Sequence, residues 1–226
     1  METLTFGFET EYGPTSAYVA APDGHATDLP VVILIQEWWG VNDHMRDIAG
    51  RYADEGYGCV VPDLYRGKLA KDPQQAAEFM NALQLEDGVA TIKAALAEVK
   101  SRHPVSKTGI TGYCMGGTYA LRAAIDVPGF SASVPFYGDL PPEDVLAKLT
   151  VPTLFIAGQR DGWINPEKVG KLEDAARQYD LPVEVVSYDA DHAFFNDTRP
   201  EVYDADAARD AWKRVLAHFG RYLKGE

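Results

Sequence analysis

One cysteine in this chain lies in a setting that suits a nucleophile. Cys114 is flanked by glycines in Gly-Tyr-Cys-Met-Gly-Gly, residues 112–117. The segment before it predicts a short buried strand and the segment after it predicts a helix, so the cysteine occupies a strand-to-helix turn. Glycines two residues before and after the cysteine allow a strained backbone that larger side chains would block. The helix start favours a thiolate, and the Met115 N–H points to where an oxyanion would form. The alternative is a buried cysteine that neighbours glycines by chance.

Three more titratable residues each follow a predicted strand, namely Glu37, Asp161 and His192. The loops after parallel strands meet at one edge of a sheet, so all three are expected at the same end as Cys114. Along the chain, Cys114, Asp161 and His192 have the order nucleophile, acid and base. In such a triad the acid orients the imidazole, which removes the proton of the nucleophile. Taken singly, Asp161 also suits an ordinary turn and His192 a solvated loop.

The elements that must position these residues alternate between strand and helix patterns. Strands are predicted at residues 31–35, 58–61, 107–111, 132–137, 153–157 and 183–188, and helices at 42–55, 73–83, 86–100, 118–125, 142–148, 166–179 and 204–223. Before them, residues 3–9 and 16–21 alternate apolar and polar side chains, which predicts an antiparallel hairpin at a sheet edge, followed by a loop at 22–30. This order of strands and helices predicts an α/β fold with a doubly wound, mainly parallel sheet and helices on both faces.

Length and charge narrow the class of protein. A chain of 226 residues with 46% hydrophobic composition is expected to form one domain, residues 1–226. The formal net charge of −13 disfavours nucleic acid and anionic membranes as partners. No apolar run could span a bilayer and no leader pattern starts the chain, so a cytoplasmic location is expected. The second cysteine, Cys59, lies in an apolar strand and is expected to pack, which leaves no disulfide framework or zinc site.

Five short motifs follow predicted strands in this chain. They are Gln-Glu-Trp-Trp-Gly-Val-Asn at 36–42, Pro-Asp-Leu-Tyr at 62–65, the 112–117 segment, Gly-Gln-Arg-Asp at 158–161 and Asp-His-Ala-Phe at 191–194. Together they resemble the dienelactone hydrolase family, a branch of the α/β hydrolases, and the resemblance covers most of the chain. It implies an α/β-hydrolase fold and cleavage of small-molecule esters or lactones, as in a carboxymethylenebutenolidase.

The resemblance also implies a role for each site residue. Cys114 would attack the carbonyl, His192 would act as the base and later activate water, and Asp161 would orient His192. The backbone N–H groups of Trp38 and Met115 would form the oxyanion hole. A thioester route of this kind needs no metal or organic cofactor, so none is expected.

Glu37 resembles the buried glutamate of the family, which contacts the resting thiol and helps to generate the thiolate when substrate arrives. A carboxylate near a thiol raises the pKa of the thiol and protects it from oxidation. The competing interpretation is that Glu37 only hydrogen-bonds its loop.

The substrate pocket departs from the family pattern. Family members that act on dienelactone hold its carboxylate with arginines on the helix before the cysteine unit and shortly after the histidine. The helix predicted at 73–83 has no arginine, and Arg199 and Arg66 are the candidates that could reach inward, although neither matches in register. The expected mouth is aromatic and comprises Trp38, Trp39, Phe136, Tyr137, Trp163, Phe194 and Phe195, each of which also suits core packing. Small neutral or aryl esters and lactones are therefore expected, with dienelactone as a further substrate.

Two other functions fit parts of the sequence. A thiol-based redox or peroxide sensor would use a reactive cysteine at a helix start, but no resolving cysteine lies near Cys114 in sequence. A non-catalytic ligand-binding module on the same scaffold is the third alternative, because fold does not fix function. The expected assembly is a monomer or a homodimer.

Overall fold

An eight-stranded sheet forms the centre of the computed structural model, which describes residues 1–24, 28–102 and 104–226. The strands β1 to β8 span Glu2–Thr10, Gly13–Ala21, Leu29–Ile35, Gly58–Pro62, Val105–Tyr113, Ala132–Phe136, Thr153–Gly158 and Val183–Tyr188. Their order in the sheet is β1-β2-β4-β3-β5-β6-β7-β8. The pairs β1–β2 and β2–β4 are antiparallel, whereas the remaining pairs are parallel. The predicted edge hairpin and mainly parallel sheet are confirmed.

Helices α1 to α7 connect these strands and cover both faces of the sheet. They span Asp43–Asp54, Pro73–Ala82, Leu85–Arg102, Met115–Asp126, Glu143–Leu146, Pro166–Tyr179 and Ala205–Phe219. The final helix was predicted to run to residue 223, but its last turn, Gly220–Lys224, has π-helical hydrogen bonding. The loop predicted at 22–30 is shorter because β3 begins at Leu29, and residues 25–27 lie outside the described part of the chain.

Two hydrophobic cores lie on opposite faces of the sheet. Along β3, Val32 and Leu34 join the core beneath α1 and α7, whereas Val31, Ile33 and Ile35 join the core beneath α3, α4 and α6. This division follows from the two-residue period of a strand, which sends successive side chains to opposite faces. A strand buried on both faces therefore reads as a continuous apolar run. In the described ranges, no helix combines the length and the apolar character that a membrane crossing requires.

The turn between β5 and α4 is packed so closely that it requires glycine. A Cβ added to Gly112 would lie 2.2 Å from the carbonyl oxygen of Gly116, and one added to Gly116 would lie 2.3 Å from the carbonyl oxygen of Ile35. Both obstacles are backbone atoms, which cannot move aside as a flexible side chain would. The glycines flanking Cys114 therefore let the turn pack directly on the end of β3.

We expect Gly116→Ala to lower the free energy of unfolding by about 3 kcal/mol, because an added methyl group overpacks a site bounded by backbone. Urea unfolding of the two proteins measures the difference. Gly170→Ala is the matched control, since a Cβ at this position in α6 meets nothing within 4 Å. The control should be neutral or stabilise by up to about 1 kcal/mol, because alanine favours a helix. Equal unfolding midpoints for Gly116→Ala and wild type would contradict the steric account.

Candidate active site

Cys114 occupies a strained turn at the carboxyl edge of the sheet. Its backbone has φ 57° and ψ −118°, a region that non-glycine residues rarely adopt. The strain is held by hydrogen bonds: the Cys114 N–H donates to the Phe136 carbonyl at 3.1 Å, and the Gly117 N–H donates to the Cys114 carbonyl at 2.9 Å. The side chain is 7% exposed. The sulfur thus lies at a fixed position between the ends of β3 and β6.

Asp161 and His192, from the loops after β7 and β8, form a close pair. His192 Nδ1 lies 2.6 Å from Asp161 Oδ2, and the other carboxylate oxygen accepts hydrogen bonds from the Trp163 N–H at 2.7 Å and the Ile164 N–H at 2.9 Å. Burial alone would raise the pKa of Asp161, but His192 and these N–H groups hold it below its ordinary value. Asp161 is therefore an ionised acceptor, which requires the hydrogen on Nδ1 and leaves Nε2 as the acceptor of the neutral ring.

The free nitrogen of His192 is turned away from solvent. Its Nε2 atom is buried, and no side chain or backbone group in the described ranges gives it a hydrogen-bond partner. The ring lies between Tyr137, with centroids 5.0 Å apart, and Trp163, with centroids 5.5 Å apart. An imidazole held in this way can accept a proton from a group that enters beside it.

A cavity of about 270 Å³ brings Cys114 and His192 together. Its walls are formed by Glu37, Trp38, Trp39, Met80, Cys114, Trp163, His192, Ala193 and Arg199. The cavity is referred to below as the Cys114 cavity. Three tryptophans and a methionine make it mainly apolar, and its charged groups lie near the sulfur. The sulfur, the imidazole and the Glu37 carboxyl group, which are distant in sequence, therefore border the same space.

Glu37 is a buried carboxyl group that accepts one direct hydrogen bond from the residues the structure describes. Asn196 Nδ2 donates to Glu37 Oε2 at 2.8 Å, and Glu37 is 2% exposed. Burial raises the pKa of Glu37 to about 7, while the Asn196 bond, the charge of Arg199 and, when its ring is protonated, His192 oppose that rise. Glu37 is thus poised to change protonation state near neutral pH.

Cys114 is held as a thiol in this arrangement. Burial and the Glu37 carboxylate raise the pKa of the thiol above its ordinary value, and these effects outweigh the Met115 N–H, which lowers it. The expectation that the helix start would favour a thiolate is therefore wrong for this state. The reason is that a partial charge at a helix terminus is small beside the cost of burying a full charge near a carboxylate.

The two N–H groups predicted to face an oxyanion lie beside the sulfur turn. Met115 is the first residue of α4, and its N–H is directed toward the Cys114 sulfur. Trp38 lies in the loop after β3, and its N–H has no acceptor among the described residues. The loop itself is anchored, because Gln36 Oε1 accepts from the Leu64 N–H at 3.1 Å. Trp38 lines the Cys114 cavity, and Met115 directly follows Cys114.

Four of the predicted mouth aromatics belong to the core instead. Phe136, Tyr137 and Phe194 are fully buried, and Phe195 is 2% exposed. They stack on one another and on Tyr113, whose ring centroid lies 4.5 Å from that of Phe136 and 5.1 Å from that of Phe195. None of these four expected pocket residues is a wall of the Cys114 cavity, although the Tyr137 ring packs against His192.

The two candidate arginines have different positions. Arg199 lines the Cys114 cavity, and its Nε donates to Glu201 at 2.8 Å. Arg66 instead forms a bidentate pair with Asp87, at 3.0 and 2.6 Å, and lies outside the cavity. Of the two candidates, Arg199 is therefore the one that borders the Cys114 cavity.

Sequence reasoning missed Met80, Ala193 and Asn196. Met80 follows the helical spacing of α2, which does not distinguish a cavity wall from core packing. Ala193 has φ 65°, a conformation that nothing in its residue type announces. In the described part of the chain, no group of three or more His, Cys, Asp or Glu side chains is arranged to hold a metal ion.

The raised pKa of Glu37 makes stability depend on pH. Its folded value of about 7 exceeds its ordinary value of 4.5, so the folded state binds this proton more tightly, and the associated stability is lost as pH rises through about 7. We expect Glu37→Gln, which cannot ionise, to gain stability relative to wild type by up to about 3 kcal/mol between about pH 4.5 and pH 8. Denaturant unfolding across this range measures the difference, and a difference that stays constant with pH would contradict the assignment.

Comparisons with known proteins identify the family of this chain. A model of the dienelactone hydrolase family matches residues 15–223. "Protein usf" of Aquifex pyrophilus is 34% identical over 96% of this chain and 97% of its own length, and a Yersinia pestis protein named "Putative carboxymethylenebutenolidase" is 36% identical over 91% and 83%. The crystal structure titled as a "Putative Dienelactone Hydrolase" from Klebsiella pneumoniae superimposes with a TM-score of 0.88 at 30% identity, over 98% of this chain and 100% of that one. The chain therefore belongs to the dienelactone hydrolase family of the α/β-hydrolase superfamily and is a carboxymethylenebutenolidase-like hydrolase.

Proposed function

We propose that this protein cleaves ester or lactone bonds in small molecules through a Cys114–His192–Asp161 triad and a thioester acyl-enzyme. The observation that carries the proposal is the His192 ring, which is fixed to Asp161 at 2.6 Å through Nδ1 while its buried Nε2 has no partner among the described residues. Cys114 and His192 line the same cavity. A nucleophile, a base and a group that orients the base are the parts that acyl transfer requires.

In the acylation step, the Cys114 sulfur attacks the carbonyl carbon as His192 Nε2 takes the thiol proton. The carbonyl π electrons move to oxygen, and the Trp38 and Met115 N–H groups stabilise the resulting oxyanion. The oxyanion then collapses, the bond to the leaving oxygen breaks, and that oxygen takes the proton from His192. The product of this step is a thioester on Cys114 and an alcohol, which remains attached as a hydroxyl group if the substrate is a lactone.

Deacylation repeats the sequence with water. His192 removes a proton from a water molecule that attacks the thioester carbonyl, and the same N–H groups stabilise the second oxyanion. Collapse releases the carboxylic acid, and the sulfur regains its proton from His192. Each bond made or broken is accounted for by these groups, and the route uses no metal or organic cofactor.

Glu37 protects the thiol between turnovers in this proposal. Burial and the Glu37 carboxylate raise the pKa of the thiol, so little thiolate is present when the cavity holds no substrate. The same facts disfavour a redox sensor, which needs an accessible thiolate, and Cys59 is fully buried. A rearrangement that brings the sulfur beside His192 would let the imidazole take the proton.

The cavity favours neutral substrates with aromatic character. Trp38, Trp39 and Trp163 offer flat apolar surface, and Trp163 is 41% exposed beside His192, where the leaving oxygen must take its proton. The cavity has one arginine, Arg199, which is already paired with Glu201. A substrate carboxylate would have to compete for that arginine, so we propose aryl and small neutral esters and lactones as the preferred class, with dienelactone as a weaker substrate.

The cellular setting belongs to the same proposal. Both cysteines are free, as is usual in a reducing compartment, which supports a cytoplasmic location. The net charge of −13 keeps the protein from nucleic acid and anionic membranes. We propose one domain that acts as a monomer or a homodimer.

We expect Cys114→Ala and His192→Ala each to lower kcat/KM for 4-nitrophenyl acetate by a factor of about 10³ or more, because triad members act as a unit. The double variant should lose little more than either single one. Initial rates measure the loss, and circular dichroism checks the fold. Hydrolysis by Cys114→Ala at the wild-type rate would exclude the proposed nucleophile.

We expect Trp163→Ala to reduce kcat/KM for phenyl acetate more than for ethyl acetate, by about fivefold to tenfold, since the loss of an aromatic contact costs about 1 kcal/mol. Tyr179→Ala, which removes an exposed aromatic side chain on α6, is the control.

A matched pair of neutral and carboxylate-bearing esters tests the charge preference. Equal kcat/KM values for that pair in the wild type would contradict it.

A further inference from the structure

We propose that Asn196 is a positioning residue that holds the Glu37 carboxylate in its ionised form beside Cys114 and so controls how readily the thiol loses its proton. The catalytic consequence rests on the proposed function, whereas the effect on the thiol does not. Asn196 lies outside the walls of the Cys114 cavity, so it acts through Glu37 rather than on a substrate.

The orientation of the Asn196 amide is fixed by its own partners. Asn196 is 2% exposed, and its Oδ1 accepts from the Thr198 N–H at 3.0 Å and from the Thr198 hydroxyl at 2.6 Å. With the oxygen held by two donors, the NH₂ group must face Glu37 Oε2, which it reaches at 2.8 Å. A donor locked in this way favours the charged carboxylate over the protonated acid.

The segment that carries Asn196 is attached at both sides. The Asn196 N–H donates to the Ala193 carbonyl at 2.9 Å, and the Arg199 N–H donates to the Asn196 carbonyl at 3.1 Å. The next side chain, Asp197, lies 2.5 Å from Arg51 of α1 and 3.4 Å from the buried His44. The amide is therefore presented to Glu37 by a segment tied to α1 and to the His192 loop.

Other groups near Glu37 come from three elements. Cys114 and Tyr137 lie at the ends of β5 and β6, and His192 and Arg199 lie in the segment after β8. Among the influences that lower the pKa of Glu37, the Asn196 hydrogen bond is the largest, followed by the charge of Arg199 and that of His192 in its protonated form. Asn196 is thus the direct partner that opposes the cost of burying this charge.

Removal of the Asn196 amide donor should change the pKa of Glu37 in a defined direction. The pKa of Glu37, about 7 with the bond in place, would rise further, so a larger fraction of Glu37 would be neutral near pH 7. A neutral Glu37 no longer repels negative charge on the sulfur, so the thiol would ionise more readily. Loss of Asn196 should therefore make Cys114 more reactive toward an alkylating agent near neutral pH, even where it impairs turnover.

The test is the rate of alkylation of Cys114 by iodoacetamide as a function of pH, followed by peptide mass spectrometry on the full chain. We expect Asn196→Ala and Asn196→Leu, whose side chain matches asparagine in size but cannot donate a hydrogen bond, each to raise the Cys114 rate near neutral pH by about threefold to tenfold. In a Glu37→Gln background the same changes should have no further effect. Asn165→Ala, which removes the N-cap of α6, is a structural control that should leave the profile unchanged.

Cys59 in the same samples separates this effect from loosening of the fold. It is fully buried and reacts only if the protein opens, so a specific effect alters Cys114 and leaves Cys59 protected. An unchanged Cys114 profile in both Asn196 variants, a shift that persists in the Glu37→Gln background, or parallel labelling of Cys59 in both variants would each overturn the proposal. Alkylation needs no turnover, so a wild type that hydrolyses no ester would refute the proposed function without affecting this result.

Discussion

The close approach of the turn after β5 to the backbones of two neighbouring strands is the constraint on which the site depends. Gly116 packs against the Ile35 carbonyl and Gly117 against the Phe136 carbonyl, where an added Cβ would lie 2.3 Å from each oxygen. The turn can therefore occupy one position only, at the ends of β3 and β6, and Cys114 takes the strained conformation that this position imposes. The loops that carry Trp38, Glu37 and His192 then surround the sulfur because they follow strands of the same sheet.

The two carboxyl groups at this edge of the sheet, Asp161 and Glu37, have opposite electrostatic environments. Asp161 is buried but receives two backbone N–H groups and the His192 ring, so its pKa stays below the ordinary range and it remains an anion. Glu37 is equally buried but has Asn196 as its one direct donor among the described residues, so its pKa rises to about 7. In the proposed mechanism, the ionised Asp161 orients the base, whereas Glu37 restrains the nucleophile.

The sequence predicts the fold and the meeting of Cys114, Asp161 and His192 because both depend on local patterns. Strand and helix periods fix the topology, and the topology brings residues that follow strands to one edge. The direction in which a side chain points beyond a strand end depends on backbone turns that residue type does not reveal. Tyr137 has φ 37° and Ala193 has φ 65°, and the aromatics beside them point into the core rather than the cavity. The Asn196–Glu37 bond joins residues 159 positions apart, a contact that no spacing rule anticipates.

The most direct test of the central claim is to identify the atom that becomes acylated. The enzyme would be mixed with 4-nitrophenyl acetate, quenched in acid within one turnover, digested and mapped by mass spectrometry. The account predicts an acetyl group on the peptide that contains Cys114, removed by neutral hydroxylamine as expected for a thioester. Continued turnover with an unmodified Cys114, or with the acyl group on another residue, would contradict it.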